Sequence, residues 1–423
     1  MDRTLHVYKF GGASVKDAAA LLNLHTLLQS RLQTNKLIVV SAMGKTTNAL
    51  EAVLAKKLEQ GDFSKEWKQI KDFHLEVCVE LFPTAHPVIE KIEQLLDTAQ
   101  PILDLPISKI NYDEVYDQLI CYGELLSSLV VSEYLNFKGL SLAWQDARTV
   151  IHTDSDFRFA KIDWEKTRSP CQHQWAGLLE HTTILTQGFI GRDPLGLTTT
   201  LGREGSDFTA AILATSLDAE SVTIWKDVPG VLNADPKLFP NTQKFDELRY
   251  REAAEMTYFG ASVIHPKTIK PLANAGIPLF VKSFLDPEGA GTKIHEHAAP
   301  HEVPTLVLKK SQVLVSFKVT DFTFIEEKHI HAIYEKLKEL KLRANMLQLS
   351  AITVSLVVDT QLFKLEQLVE SLKSSFEIRY NEDLELLTIL KPKTAEIPAL
   401  MEGHVVLLEQ TTRTTYQAVR RKK

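Results

Sequence analysis

The sequence Thr-Leu-Gly-Arg-Glu-Gly-Ser-Asp at residues 200–207 places two glycines, a guanidinium, a hydroxyl and a carboxylate directly before a helical pattern. Apolar residues then recur at helical spacing: Phe208, Ala211, Ile212, Leu213 and Leu217. This spacing predicts a helix with Ser206 or Asp207 as its N-cap. A helix N-terminus attracts anions, and Arg203 offers two parallel donors for a carboxylate or phosphate. Taken alone, the stretch fits either an anion site or an ordinary capped helix.

Two other predicted strands end in turns of the same kind. The strand at 5–10 carries Lys9 and leads into Gly11 and Gly12, and Ser14 can cap a helix from about residue 15. Adjacent glycines let the backbone approach a ligand closely, and Lys9 supplies a cation. The pattern differs from the P-loop, whose lysine follows the glycines. The turn after the strand at 5–10 predicts a binding site for a polyphosphate. The strand at 37–41 is likewise followed by residues with hydroxyl groups.

Short β-rich runs alternate with helical patterns over the first two thirds of the chain. The predicted strands are 5–10, 37–41, 140–144, 183–188, 221–225 and 277–282. Such alternation predicts an α/β fold, with a mostly parallel sheet sandwiched by helices. Residues from about 46 to 135 are almost wholly helical in pattern and predict an insertion that covers one side of a site. Ligands of open α/β sheets lie beyond the carboxyl ends of the strands, where the three turns are found.

The composition changes at residues 286–304, which are rich in Pro, Gly and His and are interpreted as a linker rather than a metal cluster. Strands and helices beyond it follow a βαββαβ order, typical of a small α+β ferredoxin-like unit. The predicted elements are 313–319, 326–340, 344–349, 352–358, 363–374 and 376–380. We therefore expect a first domain at 1–298 and a separate C-terminal region at 299–423. That region divides into a full unit at about 311–381 and a reduced one from about 303–309 plus 384–421.

Composition excludes several classes of protein. The net charge of −6 is spread along the chain, so no nucleic-acid partner is expected. No apolar run reaches the roughly 20 residues that a membrane span requires, and no signal-peptide pattern is present. The three cysteines are widely spaced and form no metal-ligand pattern. We expect a cytoplasmic protein without a membrane partner and without a protein-bound metal site.

Several motifs occur together in one order along the chain. They are Lys9-Phe10-Gly11-Gly12, Ser41-Ala42-Met43-Gly44, Gly123-Glu124, Gln187-Gly188-Phe189-Ile190-Gly191, residues 200–207, Lys226-Asp227-Val228-Pro229-Gly230-Val231 with Asp235-Pro236, and Phe259-Gly260-Ala261 to His265-Pro266. In this order they resemble aspartate kinases of the amino acid kinase family. The resemblance extends over almost the whole chain, because those enzymes also carry C-terminal ACT domains of the ferredoxin-like kind.

The resemblance implies transfer of the γ-phosphoryl group of MgATP to the β-carboxylate of L-aspartate. The product, 4-phospho-L-aspartate, leads toward lysine, threonine and methionine. Lys9 and Asp207 are the implied catalytic residues. The implied substrate-binding residues are Ser41, Thr47, Glu124, Arg203 and Ser206, with Arg203 on a carboxylate and Glu124 on the α-ammonium group. The implied ATP-binding residues are Lys9, Gly11, Gly12, Lys226, Asp227, Leu232, Lys237 and Ser262.

The ACT region departs from the family pattern at the place where an amino-acid effector binds. The loop at 320–325 has no glycine, and the strand after the first ACT helix carries apolar Leu349 and Ala351, although Asn345 and Ser350 could still bind an amino acid. We expect feedback inhibition to be weak, absent or directed at an unusual effector. A homodimer through the ACT region is expected. The alternatives are another kinase of the family that acts on a glutamate-type acceptor, or a non-catalytic ACT amino-acid sensor.

Overall fold

The structure, a computed structural model, describes residues 5–32, 36–261, 264–320 and 323–423. The described residues form two compact units. The first comprises those within 1–231, 244–254 and 263–299, and the second those within 232–243, 255–262 and 300–423. The two short segments before residue 263 were expected in the first domain, and the structure groups them with the C-terminal unit.

The first unit is built on a mostly parallel sheet. Its strands are β1 (His6–Phe10), β2 (Lys36–Val40), β3 (Leu142–Gln145), β4 (Thr183–Gln187), β7 (Ser221–Lys226), β8 (Glu247–Leu248), β9 (Leu279–Ser283) and β10 (Thr292–Ile294), and a separate hairpin pairs β5 (Ile190–Arg192) with β6 (Thr198–Thr200). The strand order is β3-β4-β2-β1-β7-β9-β10-β8, and only β9 pairs antiparallel with β10. The central strands are buried on both faces, as expected of a sheet covered by helices.

Helices cover this sheet and form the predicted insertion. They are α1 (Ala18–Gln29), α2 (Thr46–Leu58), α3 (Ser64–Leu81), α4 (Val88–Asp97), α5 (Gln100–Asp104), α6 (Tyr112–Phe137), α7 (Trp164–Pro170), α8 (Ala176–Leu179), α9 (Gly205–Ser216) and α11 (Pro266–Ala275). A further helix, α10 (Tyr250–Tyr258), has residues in both compact units. Of these, α2 to α6 make up the insertion. Most residues of α6 are buried, including the charged Asp117 and Glu124. Within the described residues, no helix combines the length and the apolar character needed to cross a bilayer.

The helix after β1 begins later than expected. Residues Gly12–Val15 form a 3-10 turn, and α1 starts at Ala18 with Asp17, not Ser14, as its N-cap. The Asp17 carboxylate accepts a hydrogen bond from the Ala20 N–H at 2.8 Å, which a serine side chain at position 14 is too early in the chain to do. The 3-10 turn keeps the backbone of Gly12 against the turn after β2.

The second unit contains one antiparallel sheet. Its elements are β11 (Thr305–Val319), α12 (Glu327–Glu339), β12 (Ala344–Leu349), β13 (Thr353–Asp359), α13 (Leu362–Leu372), β14 (Phe376–Leu390), α14 (Ile397–Met401), β15 (His404–Thr411) and β16 (Thr415–Lys422). The strand order is β12-β13-β11-β14-β16-β15. The ferredoxin-like order is thus present, and its main core packs Phe317 and Phe376 against Ile333, Leu337 and Leu368.

Strands β11 and β14 are longer than predicted. The sequence predicted strands at 313–319 and 376–380 and assigned residues 303–309 and 384–421 to a separate reduced unit, whereas the structure extends each strand to 15 residues. Register shifts between Lys309 and Leu314 allow β11 and β14 to stay paired through this region. Ser311 and Asp383 adopt positive φ angles of 53° and 55°. The full and reduced units therefore share two continuous strands.

A glycine brings the end of β4 against the start of α9. A Cβ atom on Gly188 would lie 2.4 Å from Cβ of Ser206, closer than two carbon atoms can pack. We expect Gly188→Ala to lower the free energy of unfolding by about 2 kcal/mol and to raise the Michaelis constant for the substrate that Ser206 is predicted to bind. Thermal denaturation and steady-state kinetics measure both effects. Gly177→Ala is the matched control, because no atom lies within 4 Å of its added Cβ; equal stability of the two variants would contradict the prediction.

Candidate active site

Two lysines and one aspartate meet where β1 and β7 end. These parallel strands are neighbours, with Phe10 opposite Trp225, so their carboxyl ends share one edge of the sheet. The Nζ atom of Lys9 lies 2.5 Å from Oδ1 of Asp207, and that of Lys226 lies 3.6 Å from Oδ2. Burial opposes ionisation of Asp207, but the two lysines hold its pKa below the ordinary value. The cluster has one formal positive charge in excess and attracts an anion.

The loop at 200–207 turns into α9 earlier than predicted. The helix begins at Gly205, and the N-cap position is occupied by Glu204, whose φ is 54°. The Gly205 N–H donates to the Gly202 carbonyl at 3.0 Å, and this tight turn starts the helix before Ser206. Ser206 and Asp207 thus lie in the first turn and neither is the N-cap. The carboxylate of Asp207 still benefits from the helix dipole, because it lies within the first turn.

Glu124 is a buried carboxylate that forms no salt bridge with any other described residue. It lies in the middle of α6 with 3% of its surface exposed. Its Oε1 accepts a long hydrogen bond of 3.4 Å from the Ala42 N–H, and its Oε2 has no hydrogen-bond partner among the described residues. Burial raises the pKa of Glu124 to about 8. A buried, unpaired acceptor of this kind suits an ammonium group supplied by a ligand.

A cavity of about 570 Å³ joins these groups. It is lined by most of the residues that the sequence singled out: Lys9, Gly12, Ser41, Thr47, Glu124, Arg203, Ser206, Asp207 and Lys226. The cavity has two chemically different parts. Lysines from β1 and β7 face Asp207, whereas Glu124 comes from α6 and Arg203 from the loop before α9. The cavity therefore offers cations for a polyanion and a mixed pair of charges for an amino acid.

The remaining predicted residues are placed differently. Gly11 lies against the amine of Lys9, since a Cβ added to it would be 3.4 Å from Nζ. Asp227 follows β7 but does not line the cavity. Leu232 and Lys237 belong to the second compact unit. Ser262 lies outside the described residues, and all five residues stay predictions as ATP-binding residues.

Sequence reasoning missed several residues that line the cavity, among them Tyr116, Arg158, Phe159, Phe189 and Glu204. Three of these have the positive φ angles that favour glycine: 69° at Arg158, 70° at Phe189 and 54° at Glu204. Non-glycine residues keep such conformations only where their surroundings hold them, and they cluster at functional sites. No pattern in the sequence could reveal these backbone angles.

Comparison with known proteins identifies the family. Residues 4–283 match the amino acid kinase family. The lysine-sensitive aspartokinase 3 of Escherichia coli is 33% identical over 356 residues, which are 84% of this chain and 78% of that protein. The crystal structure of E. coli aspartokinase III in complex with aspartate and ADP (R-state) has a TM-score of 0.84 at 29% identity and covers 98% of this chain and 96% of its own. The complex with lysine and aspartate (T-state) gives 0.80 at 29% identity with the same coverage.

An α/β fold in which a cationic cluster at the strand ends shares one cavity with Glu124 and Arg203 is typical of small-molecule kinases. The chain belongs to the amino acid kinase family, and its similarity to full-length relatives places it among the aspartokinases.

Proposed function

We propose that this chain is a cytoplasmic enzyme that transfers the γ-phosphoryl group of ATP to the side-chain carboxylate of L-aspartate. The product is 4-phospho-L-aspartate, a precursor of lysine, threonine and methionine. One observation carries the proposal: a single cavity joins the cluster of Lys9, Asp207 and Lys226 to Glu124 and Arg203. The E. coli aspartokinase III complex with aspartate and ADP supports this pairing of ligands.

The acceptor half of the cavity suits an α-amino acid with a second carboxylate. Glu124 would bind the α-ammonium group, because its Oε2 is buried and lacks a partner among the described residues. Arg203 would bind the α-carboxylate through parallel N–H donors. The hydroxyls of Ser41, Thr47 and Ser206 would hold the reacting carboxylate in line with the phosphoryl group.

The donor half suits a triphosphate. Lys9 and the amides of Gly11 and Gly12 would stabilise the charge that develops on the transferred group, and Lys226 would bind the neighbouring phosphates. The residues fit such a ligand, because both lysine amines face one buried carboxylate and keep a formal positive charge in excess. Mg²⁺ bound with ATP supplies further charge neutralisation, and Asp207 would organise Lys9 or the Mg²⁺ hydration shell.

No general base is required for this reaction. A side-chain carboxylate has an ordinary pKa of about 4 and is already ionised at neutral pH. Asp207 is therefore assigned to organising the cations rather than to proton abstraction. This assignment agrees with the two ion pairs that Asp207 forms with lysine amines in the described part of the chain.

The proposal is tested by trapping the acyl phosphate with hydroxylamine in the presence of MgATP. Aspartate, glutamate and N-acetylglutamate are offered as separate acceptors. We expect hydroxamate with aspartate and about a hundredfold less with the other two. A signal with glutamate but not aspartate would indicate a different kinase of the family. The absence of signal with every acceptor would favour an amino-acid sensor.

We also propose that the enzyme is a homodimer that assembles through its ACT region. The sheet of the second unit ends in β12 on one side and β15 on the other, and β15 exposes Val405 and Val406. Edge strands with unpaired backbone groups and exposed apolar side chains favour pairing with another copy. Light scattering coupled to size exclusion should give twice the chain mass of 47.6 kDa.

Weak or altered feedback inhibition remains part of the proposal. Asn345, a candidate ligand for an effector, already bonds to three side chains: its Oδ1 accepts from Lys309 Nζ at 2.8 Å, and its Nδ2 donates to Gln312 at 2.8 Å and to Asp359 at 2.9 Å. The effector loop includes Asp321 and Phe322, which lie outside the described residues. Tight inhibition by lysine or threonine in the steady-state assay would contradict this part of the proposal.

A further inference from the structure

Arg158 lies at the cavity in a strained backbone conformation. Its φ of 69° is in the left-handed region, which costs free energy for a residue with a side chain. The conformation is held by a hydrogen bond of 2.9 Å from the Arg158 N–H to Oδ2 of Asp117. Asp117 is fully buried on α6. The fold therefore fixes an arginine where a glycine would be easier to accommodate.

The same aspartate anchors the strand that leads to Arg203. Asp117 Oδ2 accepts from the Thr200 N–H, and Oδ1 accepts from the Thr200 hydroxyl, each at 2.7 Å. A Cβ atom on Gly202 would lie 3.1 Å from the Arg158 carbonyl oxygen, so the two loops touch. One buried carboxylate thus holds together the two backbone segments that carry Arg158 and Arg203.

The guanidinium of Arg158 lies over an aromatic ring and also forms a weak ion pair with a carboxylate. Its central carbon lies 4.5 Å from the ring centre of Tyr116, and Nη1 donates to Oδ1 of Asp113 at 3.0 Å. The side chains of this pair are 35% and 45% exposed. Half-exposed ion pairs are weak, and a guanidinium has five N–H donors. A carboxylate in the cavity can therefore compete with Asp113.

We propose that Arg158 is a specificity-determining residue that acts with Arg203 to select acceptors carrying a second carboxylate. When the acceptor binds, Arg158 exchanges Asp113 for the α-carboxylate of that acceptor. The backbone of Arg158 abuts Gly202, next to Arg203, so the two arginines extend from neighbouring segments that line the same cavity. The ligand is an acceptor carboxylate rather than a nucleotide phosphate, since the lysines of the donor half come from β1 and β7. This inference rests on the proposed function.

The test compares two acceptors with Arg158→Gln. With L-aspartate, we expect the Michaelis constant to rise about tenfold, with a turnover number within about threefold of the wild type. With the α-amide of aspartate, which lacks the second carboxylate, we expect the variant and the wild type to be equal. Glycine is compatible with the positive φ angle at position 158, so Arg158→Gly relieves backbone strain. We expect this variant to show the same change in the Michaelis constant as Arg158→Gln, which excludes misfolding as the cause. Arg168→Gln is the matched control, because that exposed arginine is paired with Asp218.

Replacement of Asp113 should change the Michaelis constant for aspartate in the direction opposite to replacement of Arg158. Asp113→Asn should lower the Michaelis constant for aspartate about twofold, because Arg158 loses its competing partner. In the Arg158→Gln background, the same change should have no effect. Equal losses with aspartate and its α-amide, or an unchanged constant in Arg158→Gln, would overturn the inference.

Calorimetric binding of both acceptors separates this inference from the proposed function. Wild-type protein that binds aspartate but gives no hydroxamate would contradict the kinase activity and leave the Arg158 comparison intact as a binding measurement. In that case, a tenfold weaker dissociation constant for aspartate alone would still support the inference. Equal binding of aspartate by the wild type and Arg158→Gln, or no binding by either, would overturn it.

Discussion

Replacement of Lys9 by Met lowers the turnover number on the order of 10³-fold, with a modest change in the Michaelis constant for aspartate. The loose transition state of phosphoryl transfer places charge on the equatorial oxygens of the transferred group. Lys9 is 8% exposed and lies at the strand end where that group would be, so its charge acts in a site with little water. A loss confined to the turnover number indicates an interaction made in the transition state.

The same substitution also affects folding, and the two effects can be separated. Without Lys9, Lys226 at 3.6 Å is the one cation that the described residues leave paired with the buried Asp207, and removal of one partner from a buried pair costs about 3–5 kcal/mol. The double variant Lys9→Met with Asp207→Asn removes the unpaired charge, so it should recover much of the thermal stability while staying inactive. Lys16→Met is the control, because Lys16 is a solvent-exposed lysine beyond the same turn. A double variant with a near wild-type turnover number would show that Lys9 has no catalytic role.

The cluster of Lys9, Asp207 and Lys226 could be predicted because its residues stand at strand ends or at a helix start. Lys9 and Lys226 close two apolar strands, and Asp207 opens an apolar helix, so their positions follow from short-range patterns. The parallel pairing of β1 and β7 then brings them to one edge of the sheet. Local patterns sufficed here because the parallel topology places every such turn at the same edge.

Arg158 and Asp117 could not be predicted in the same way. The hydrogen bond between them links residues 41 positions apart in sequence, and the positive φ angle of Arg158 has no signature in the residue type. The exposed pair of Arg158 with Asp113 looks like an ordinary surface pair until the cavity beside it is known. Similarly, the continuity of β11 and β14 depends on bulges at Ser311 and Asp383, which sequence patterns mark only as breaks.

Glu124→Gln should change activity and stability in opposite directions. The Michaelis constant for aspartate should rise about a hundredfold, because a neutral amide replaces the carboxylate proposed to bind the α-ammonium group. The turnover number should fall less, since this contact forms in the ground state and in the transition state. Steady-state kinetics with varied aspartate measures both parameters. Glu133→Gln is the matched control, because Glu133 is a less buried acid on the same helix, paired with Lys91.

The stability effect follows from the raised pKa of Glu124. Burial raises that pKa to about 8 in the folded protein, compared with 4.5 for a free glutamate. Between these values, the folded state holds a proton that the unfolded state has lost, so the free energy of unfolding decreases as pH rises toward 8. Glutamine does not titrate, so the variant should exceed the wild type in thermal stability at pH 9 and approach it near pH 5.

Aspartate binding should shift the protonation equilibrium of Glu124. An ammonium group beside Glu124 favours its ionised form, so aspartate binding below pH 8 should release a proton, and the affinity for aspartate should increase as pH rises toward 8. Calorimetry in buffers of different ionisation enthalpy measures that proton. In Glu124→Gln, the proton release should vanish together with the pH dependence of affinity. Proton release that persists in the variant would assign the titration to another group and leave Glu124 without a role in binding the ammonium.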